Sequence, residues 1–267
     1  MDKIIGLGNA LIDVLATLKD DTLLDELGLP KGSMQLIDDA KLQQINTKFS
    51  QMKTHLATGG SAGNAILGLA CLGAGTGFIG KVGNDHYGDF FRKNLQNNNI
   101  EDNLLTSEQL PSGVASTFIS QDGERTFGTY LGAAASLKAE DLTLEMFKGY
   151  AYLFIEGYLV QDHEMILHAI ELAKEAGLQI CLDMASYNIV ENDLEFFSLL
   201  INKYVDIVFA NEEEAKAFTG EEPEEALRVI AKKCSIAIVK VGANGSYIRK
   251  GTEEIKVSAI PVEKVLD

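Results

Sequence analysis

The sequence predicts an α/β fold: a three-layer sandwich with a mostly parallel central sheet and a small β lid. Three observations support it. From residue 151 onward apolar strands alternate with amphipathic helices, which is typical of a parallel sheet covered on both faces. A glycine pair opens an apolar helix near residue 60. An Asp-Gly pair between two β-rich runs indicates a hairpin at 112–131.

The first half of the chain contains the predicted lid, made of segments 14–38 and 104–131. Residues 19–38 are polar and predicted to be irregular, and Asp13 is the only charge in an extended apolar run. The predicted elements here are strands at 4–8, 11–18 and 77–82, helices at 41–52, 61–72 and 89–97, and the hairpin at 112–131.

The second half shows the regular alternation of a parallel sheet. Its predicted strands lie at 151–160, 178–184, 206–210 and 235–241, its helices at 162–176, 193–204, 212–219 and 224–234, and an antiparallel pair at 246–249 and 254–260. No repeat or flexible linker interrupts the pattern, so residues 1–267 are predicted to form a single domain.

Composition excludes several partners. The formal net charge is −16 over 267 residues, which argues against binding nucleic acid or an anionic membrane over a broad face. The longest apolar run, 65–80, contains five glycines and is too short to cross a bilayer. Cys71, Cys181 and Cys234 lie in apolar segments without a C-x-x-C pair, which predicts buried thiols in a reducing, cytoplasmic setting.

The Gly59-Gly60 turn is the first candidate ligand site. Glycines at the mouth of a helix expose bare backbone, and the free N–H groups there favour oxygen-rich or anionic ligands. Asn64 lies in the first helical turn, where its amide can donate to and accept from a hydroxyl group. A glycine pair alone is equally typical of a tight strand-to-helix turn.

Two further glycine motifs match known ligand loops only in part. Residues 75–82 nearly spell the phosphate loop G-x-x-x-x-G-K-[ST], but Val82 lacks the required hydroxyl group. Gly6-Leu7-Gly8 begins like a dinucleotide fingerprint, but Leu11 replaces its third glycine. An NAD-dependent oxidoreductase therefore stays an alternative with weak support.

Polar residues at predicted strand ends form the second group of candidates. Asn211 and Glu214 follow an apolar strand at its carboxyl end, where open α/β sheets bind ligands. Acids in a first helical turn are also ordinary partners of the helix dipole. Asp183 ends another strand, and alone it could equally cap the segment that follows. Asp13 is either a satisfied structural acid or a ligand group.

Several motifs together resemble a known family. G-G-S-A-G-N-A followed by G-x-I-G-x-V-G-x-D-x-x-G is similar to the first signature of the PfkB carbohydrate kinases, the ribokinase-like family. G-N-A-L-I-D, Gln35 and E-R-T-F-G-T-Y-L-G-A-A resemble its adenosine kinase branch. The resemblance implies a ribokinase-like sandwich and an ATP-dependent phosphotransferase. Such an enzyme moves the γ-phosphoryl group to a hydroxymethyl group of a sugar or ribonucleoside.

The resemblance also implies roles for individual residues. Asp13 would accept hydrogen bonds from two sugar hydroxyls, and Gln35 would lie in a nucleoside pocket. The rest of the implied sugar cradle is Gly60, Ser61 and Asn64. Arg125 would be a lid cation that reaches phosphate on closure, with a solvated hairpin charge as the equal alternative.

On the nucleotide side the resemblance implies a phosphate path lined by Asp183 and Asn211. Glu214 would order the shell of a Mg²⁺ ion through water. Val239-Lys240-Val241-Gly242-Ala243-Asn244-Gly245 is similar to the family's [TK]-x-G-x-x-G loop, which implies nucleotide contacts from Lys240, Gly242 and Gly245. The implied cofactors are ATP and Mg²⁺, with room for a monovalent cation such as K⁺, and the lid strands allow a homodimer.

One family motif is absent from the sequence. D-T-x-G-A-G-D, whose last Asp is the family's catalytic base, does not occur, and Asp267 resembles its first Asp. We therefore expect a longer protein, and expect these residues alone to be nearly inactive, because losing a positioned base costs about 10²- to 10⁴-fold in rate. A non-catalytic ligand-binding module is the alternative.

Overall fold

The computed structural model describes residues 2–261, which form two compact units. The first unit contains residues 2–7 and 142–261, and the second contains residues 8–141. Asp267 lies outside the described residues.

The secondary structure consists of short strands and helices. The strands are β1 (Ile4–Leu7), β2 (Leu11–Thr17), β3 (Met34–Leu36), β4 (Thr54–Gly59), β5 (Thr76–Gly83), β6 (Ile100–Ser107), β7 (Gly113–Ile119), β8 (Arg125–Tyr130), β9 (Tyr152–Glu156), β10 (Gln179–Asp183), β11 (Ile207–Asn211), β12 (Ile236–Lys240), β13 (Ser246–Lys250) and β14 (Glu253–Val257). The helices are α1 (Thr22–Leu27), α2 (Asp39–Phe49), α3 (Ser61–Cys71), α4 (His86–Asn97), α5 (His163–Glu175), α6 (Tyr187–Asn192), α7 (Leu194–Lys203), α8 (Glu212–Thr219) and α9 (Pro223–Ile230).

The first unit is built on a mostly parallel sheet with strand order β14-β13-β12-β11-β10-β9-β1. Strands β12, β11, β10, β9 and β1 run parallel, and the β13–β14 hairpin adds two antiparallel strands at one edge. Helix α5 buries the apolar stripe that its sequence predicts: Met165, Ile166, Ala169, Ile170 and Ala173. The predicted α/β class and parallel sheet are confirmed.

The second unit contains the parallel pair β5–β6 and a separate five-stranded sheet with order β3-β8-β7-β2-β4. The predicted hairpin is confirmed as the antiparallel pair β7–β8. Helix α2 contacts this sheet through Phe49, whose ring centroid lies 5.0 Å from that of Phe118. We call this sheet the lid sheet. Residues 104–107, predicted as part of the lid, lie in β6 and pair with β5.

Several elements differ from the sequence-based expectation. The stretch 19–38 contains helix α1, which ends at a left-handed Gly28, and strand β3. Helix α4 begins three residues earlier than expected because Asp85 accepts hydrogen bonds from Tyr87 N and Gly88 N. The strand predicted over 151–160 ends at Glu156 and continues as a 3₁₀ helix. Strand β4 and helix α6 were not predicted.

The cysteines only partly match the prediction. Cys181 is buried and Cys234 is partly buried, and burial raises their pKa to about 12 and about 11. The prediction is wrong for Cys71, which is exposed, because it ends helix α3 and that helix buries only Ala62 and Ile66.

Within residues 2–261 no helix is both long and apolar enough to cross a membrane.

Candidate functional site

The Gly59-Gly60 turn packs directly against two polar groups in the second unit. A Cβ atom on Gly59 would lie 2.3 Å from Asp13 Oδ1, and one on Gly60 would lie 2.2 Å from the Asn9 carbonyl oxygen. Gly60 also has φ of 85°, a left-handed conformation that favours glycine. The turn therefore requires glycine at both positions and holds a carboxylate against bare backbone.

The first turn of α3 extends this site. Ser61 and Asn64 are both exposed, and Asn64 N donates to the Gly60 carbonyl oxygen at 2.9 Å. The backbone N–H of Asn64 is thus used in the helical hydrogen bond, while its amide side chain lies at the surface. We call Asp13, Gly59, Gly60, Ser61 and Asn64 the acceptor half-site, after the role that the family resemblance predicts for most of them.

The register of the lid sheet separates Gln35 from Asp13. Asp13 pairs with Ala115, Ala115 with Thr129, and Thr129 with Leu36. Side chains alternate between the two faces of a sheet, so Asp13 and Leu36 share a face and Gln35 lies on the other one. The Gln35 amide nitrogen donates to Ser33 Oγ at 3.3 Å. The register thus places Leu36, and not Gln35, on the side of the carboxylate.

Two large apolar side chains are exposed on the Asp13 face. Met34 and Leu36 are 47% and 61% exposed, and Met34 pairs with Phe127 of β8. Arg125 lies on the same face, its guanidinium carbon 5.9 Å from the Phe127 ring centroid. We call Met34, Leu36, Arg125 and Phe127 the lid platform. Its apolar members were not predicted from the sequence, although the alternation of M-Q-L could have indicated them.

The first unit collects polar residues at the carboxyl ends of four adjacent parallel strands. Glu156 of β9 pairs with Asp183 of β10, and Asn211 of β11 pairs with Lys240 of β12. Glu156 is only 1% exposed and was not singled out from the sequence. The missed signal was an acidic residue that ends an apolar strand, the feature that had marked Asp183.

Asp183 is fixed from two sides. Its Oδ2 accepts from Lys240 Nζ at 3.0 Å, and its Oδ1 accepts from Ala185 N at 2.9 Å. Ala185 has φ of 64°, a strained conformation for a residue with a side chain. Asp183 thus caps the following turn, the structural alternative raised from the sequence, and pairs with Lys240 at the same time.

Asn211 and Glu214 form a capping box at the start of α8. Glu214 N donates to Asn211 Oδ1 at 2.8 Å, while Asn211 N donates to Glu214 Oε2 at 2.7 Å. Glu214 is 3% exposed. Burial raises its pKa and the charge of Asp183 adds to this, outweighing the Asn211 hydrogen bond and Lys240.

The loop after Lys240 is tightly folded but open on its outer side. Val241 N donates to the Gly245 carbonyl oxygen at 2.8 Å. A Cβ atom on Gly245 would lie 1.9 Å from the Val257 carbonyl oxygen, whereas one on Gly242 would meet nothing within 4 Å. Both glycines have positive φ. We call Glu156, Asp183, Asn211, Glu214, Lys240, Gly242 and Gly245 the nucleotide half-site, after the role that the family resemblance predicts for most of them.

Comparison with known proteins identifies relatives of this chain. The profile of the pfkB family carbohydrate kinases matches residues 32–267. A probable sugar kinase from Rhizobium etli CFN 42 is 32% identical with a TM-score of 0.88, and the adenosine kinase from Sinorhizobium meliloti is 31% identical with a TM-score of 0.86. Both alignments cover 100% of this chain and 82% of the other.

A curated relative is longer than this chain. The guanosine-inosine kinase of Escherichia coli strain K12 is 26% identical over 264 residues, which is 94% of this chain and 61% of that protein. The matching profile spans most of the chain, and the sugar and adenosine kinase structures share its α/β fold. The chain therefore belongs to the pfkB family of carbohydrate kinases and has the ribokinase-like fold.

Proposed function

We propose that the whole protein is an ATP-dependent kinase that transfers the γ-phosphoryl group to the hydroxymethyl group of a ribonucleoside. Membership of the pfkB family supports a phosphotransferase acting on an alcohol group. The observation that favours a nucleoside over a simple sugar is the exposed apolar lid platform on the face that carries Asp13.

The nucleoside assignment follows from the spacing of polar and apolar groups. Leu36 lies three strands from Asp13, which is about 14 Å at the usual strand separation. A single sugar ring bound at Asp13 cannot span that distance. A nucleoside can place its ribose hydroxyls at the carboxylate and extend its flat base toward Met34, Leu36 and Phe127, where apolar surface is available.

The acceptor half-site supplies the groups that a ribose requires. The Asp13 carboxylate can accept charge-assisted hydrogen bonds from vicinal hydroxyls. Ser61 and Asn64 provide exposed polar side chains at the mouth of α3, and Gly60 allows close approach to the backbone. Arg125 supplies the lid platform with a cation for a phosphate group. Gln35 is proposed as a peripheral contact only, because it lies on the other face.

The nucleotide half-site supports ATP binding. Lys240 provides a cation at a strand end, Gly242 offers an open backbone surface, and Gly245 keeps the loop in its compact form. Asn211 and Asp183 lie at the carboxyl edge of the sheet, where α/β folds bind ligands. Phosphoryl transfer from ATP bound there would require positioning and charge neutralisation more than covalent chemistry.

The buried carboxylates are suited to a Mg²⁺ ion. Within residues 2–261 no group of three His, Cys, Asp or Glu side chains could hold a metal ion on its own. Mg²⁺ is usually held by one or two carboxylates together with substrate phosphates and water. Glu214, whose pKa is raised chiefly by burial, would orient that water shell. Bound Mg²⁺ would neutralise phosphate charge during transfer.

Three expectations from the sequence stay predictions: a monovalent cation such as K⁺, a homodimer through the lid and a cytoplasmic location. The kinase relatives named above give no support to an NAD-dependent oxidoreductase or a non-catalytic binding module.

The proposal is tested by measuring ADP release by the full-length protein with adenosine, inosine, ribose and fructose as acceptors. We expect a nucleoside to give a kcat/KM at least about 100-fold above either sugar, because only a nucleoside gains the contacts of the platform. The Leu36→Ala variant should lower that ratio while leaving sugar turnover unchanged. A sugar that outperforms every nucleoside would contradict the nucleoside assignment, and no ATP-dependent transfer would contradict kinase activity.

A further inference from the structure

The nucleotide half-site carries an excess of negative charge. Glu156 and Asp183 are register partners on the adjacent strands β9 and β10. Burial raises the pKa of Tyr158, and the negative charges of Glu156, Glu214 and Asp183 raise it further. Lys240 is the cation that pairs with these carboxyl groups, through Asp183. A polyphosphate ligand is itself an anion, so its binding without a metal ion favours turning that cation toward the phosphates.

The two side chains of the Asp183–Lys240 pair differ in how firmly the surrounding protein holds them. The Asp183 side chain is 14% exposed and also bound to Ala185 N, whereas the Lys240 side chain is 46% exposed. A lysine ammonium is a point charge on a flexible stem, so it can turn between two acceptors without moving the backbone. The pair therefore consists of a fixed acceptor and a movable donor.

We propose that Asp183 is a positioning residue that holds Lys240 in the nucleotide-free protein, and that Lys240 moves from Asp183 to the polyphosphate when nucleotide binds. This inference rests on the proposed ATP site. In the exchange one ion pair breaks and another forms, with no covalent step. Asp183 then competes with the ligand for the same cation, so the pair lowers nucleotide affinity and favours release of the product nucleotide.

Replacing Asp183 should raise nucleotide affinity, whereas most mutations in a binding site lower it. Asp183→Asn keeps an oxygen for Ala185 N but removes the charge that holds Lys240. Nucleotide should therefore bind up to about fivefold tighter to this variant, the range expected for a partly exposed ion pair. Lys240→Met should weaken binding by about tenfold or more, because it removes the cation for the phosphates.

The experiment is a double-mutant cycle on the full-length protein, with calorimetric titration of ADP in the presence of a chelator. If Asp183 acts through Lys240, Asp183→Asn gives no gain in the Lys240→Met background. If it acts only by removing general negative charge, the gain persists in that background and the inference is overturned. Salt provides a second readout: the wild-type and Asp183→Asn affinities should converge as the ionic strength rises.

The outcomes also separate this inference from the proposed function. If the wild type binds ADP and Asp183→Asn binds it no more tightly, the exchange is wrong while the nucleotide site stands. If the wild type binds neither ADP nor ATP at any salt concentration, the nucleotide site itself is wrong and the exchange falls with it.

Discussion

The two half-sites are built in opposite ways. In the nucleotide half-site charged and polar side chains hold one another, as in Asp183–Lys240 and Asn211–Glu214. In the acceptor half-site the absence of a side chain at Gly59 and Gly60 allows a carboxylate and a carbonyl to approach the backbone. The first region should therefore respond to charge, pH and salt, and the second to added volume.

The largest effect that would test this contrast is expected from Gly59→Ala. The new methyl group would lie 2.3 Å from Asp13 Oδ1 and 2.6 Å from Asp13 Oδ2, so the carboxylate must move. We expect nucleoside affinity to fall by about 100-fold or more, because a misplaced acceptor loses charge-assisted hydrogen bonds. ADP affinity should change by less than about threefold, because Gly59 is not among the residues of the nucleotide half-site. Titration calorimetry with each ligand measures both.

Gly68→Ala is the matched control in the adjacent helix. Gly68 lies inside α3, and a Cβ atom there would meet nothing within 4 Å. Alanine should stabilise the protein by about 0.5–1 kcal/mol through its helix propensity and leave both affinities unchanged. If Gly59→Ala and Gly68→Ala had equal effects on nucleoside binding, volume would not govern the acceptor half-site.

One carboxyl group in each unit should make the free energy of unfolding depend on pH, and the two dependences should have opposite signs. Burial alone would raise the pKa of Asp85 in the second unit, but hydrogen bonds from Ser112, Gly88 and Tyr87 outweigh it and lower the pKa below its ordinary 3.8. Asp85 therefore stabilises the fold above that value, and this contribution is lost as pH falls through the folded pKa. Glu214 has a raised pKa, so its ionised form costs stability, and the cost disappears on acidification.

Urea unfolding of Asp85→Asn and Glu214→Gln between about pH 7 and about pH 3 measures this difference. The wild type should exceed Asp85→Asn by about 1–3 kcal/mol at neutral pH, and the gap should narrow on acidification. Relative to Glu214→Gln, the wild type should gain stability over the same fall in pH. If both differences in unfolding free energy between wild type and variant grew on acidification, or both shrank, the two carboxyl groups would not lie in opposite environments.

The sequence predicted best those features whose causes are local. Helix α8 was predicted from Glu212 to Thr219, the bounds observed, because Asn211 caps its start and Gly220 ends it in a left-handed conformation with φ of 77°. The Gly59-Gly60 turn was also correctly located, since a helix mouth needs only its own glycines. Local chemistry thus indicated both where elements end and where backbone is exposed.

Features that depend on distant partners could not be predicted. Strand β3 has three residues and is defined by pairing with β8, about ninety residues later. The face that Gln35 occupies follows from a register through four strands, which no single segment encodes. The Asp183–Lys240 pair joins residues 57 positions apart. Sequence motifs therefore identified the charged residues of the site other than Glu156, but not which of them hold one another.

The smallest predicted effect concerns two serines that pack in the same unit with different polar surroundings. Ser112 Oγ donates to Asp85 Oδ1 at 2.7 Å and accepts from Gly83 N at 2.9 Å, whereas the fully buried Ser116 Oγ has no hydrogen-bond partner among the described residues. Removing a satisfied hydroxyl leaves its partners unpaired, so Ser112→Ala should cost about 1–3 kcal/mol. Ser116→Ala removes only an unpaired polar atom and should be neutral or stabilise the fold by up to about 1 kcal/mol. Equal losses in urea unfolding would mean that the Ser116 hydroxyl has a partner after all.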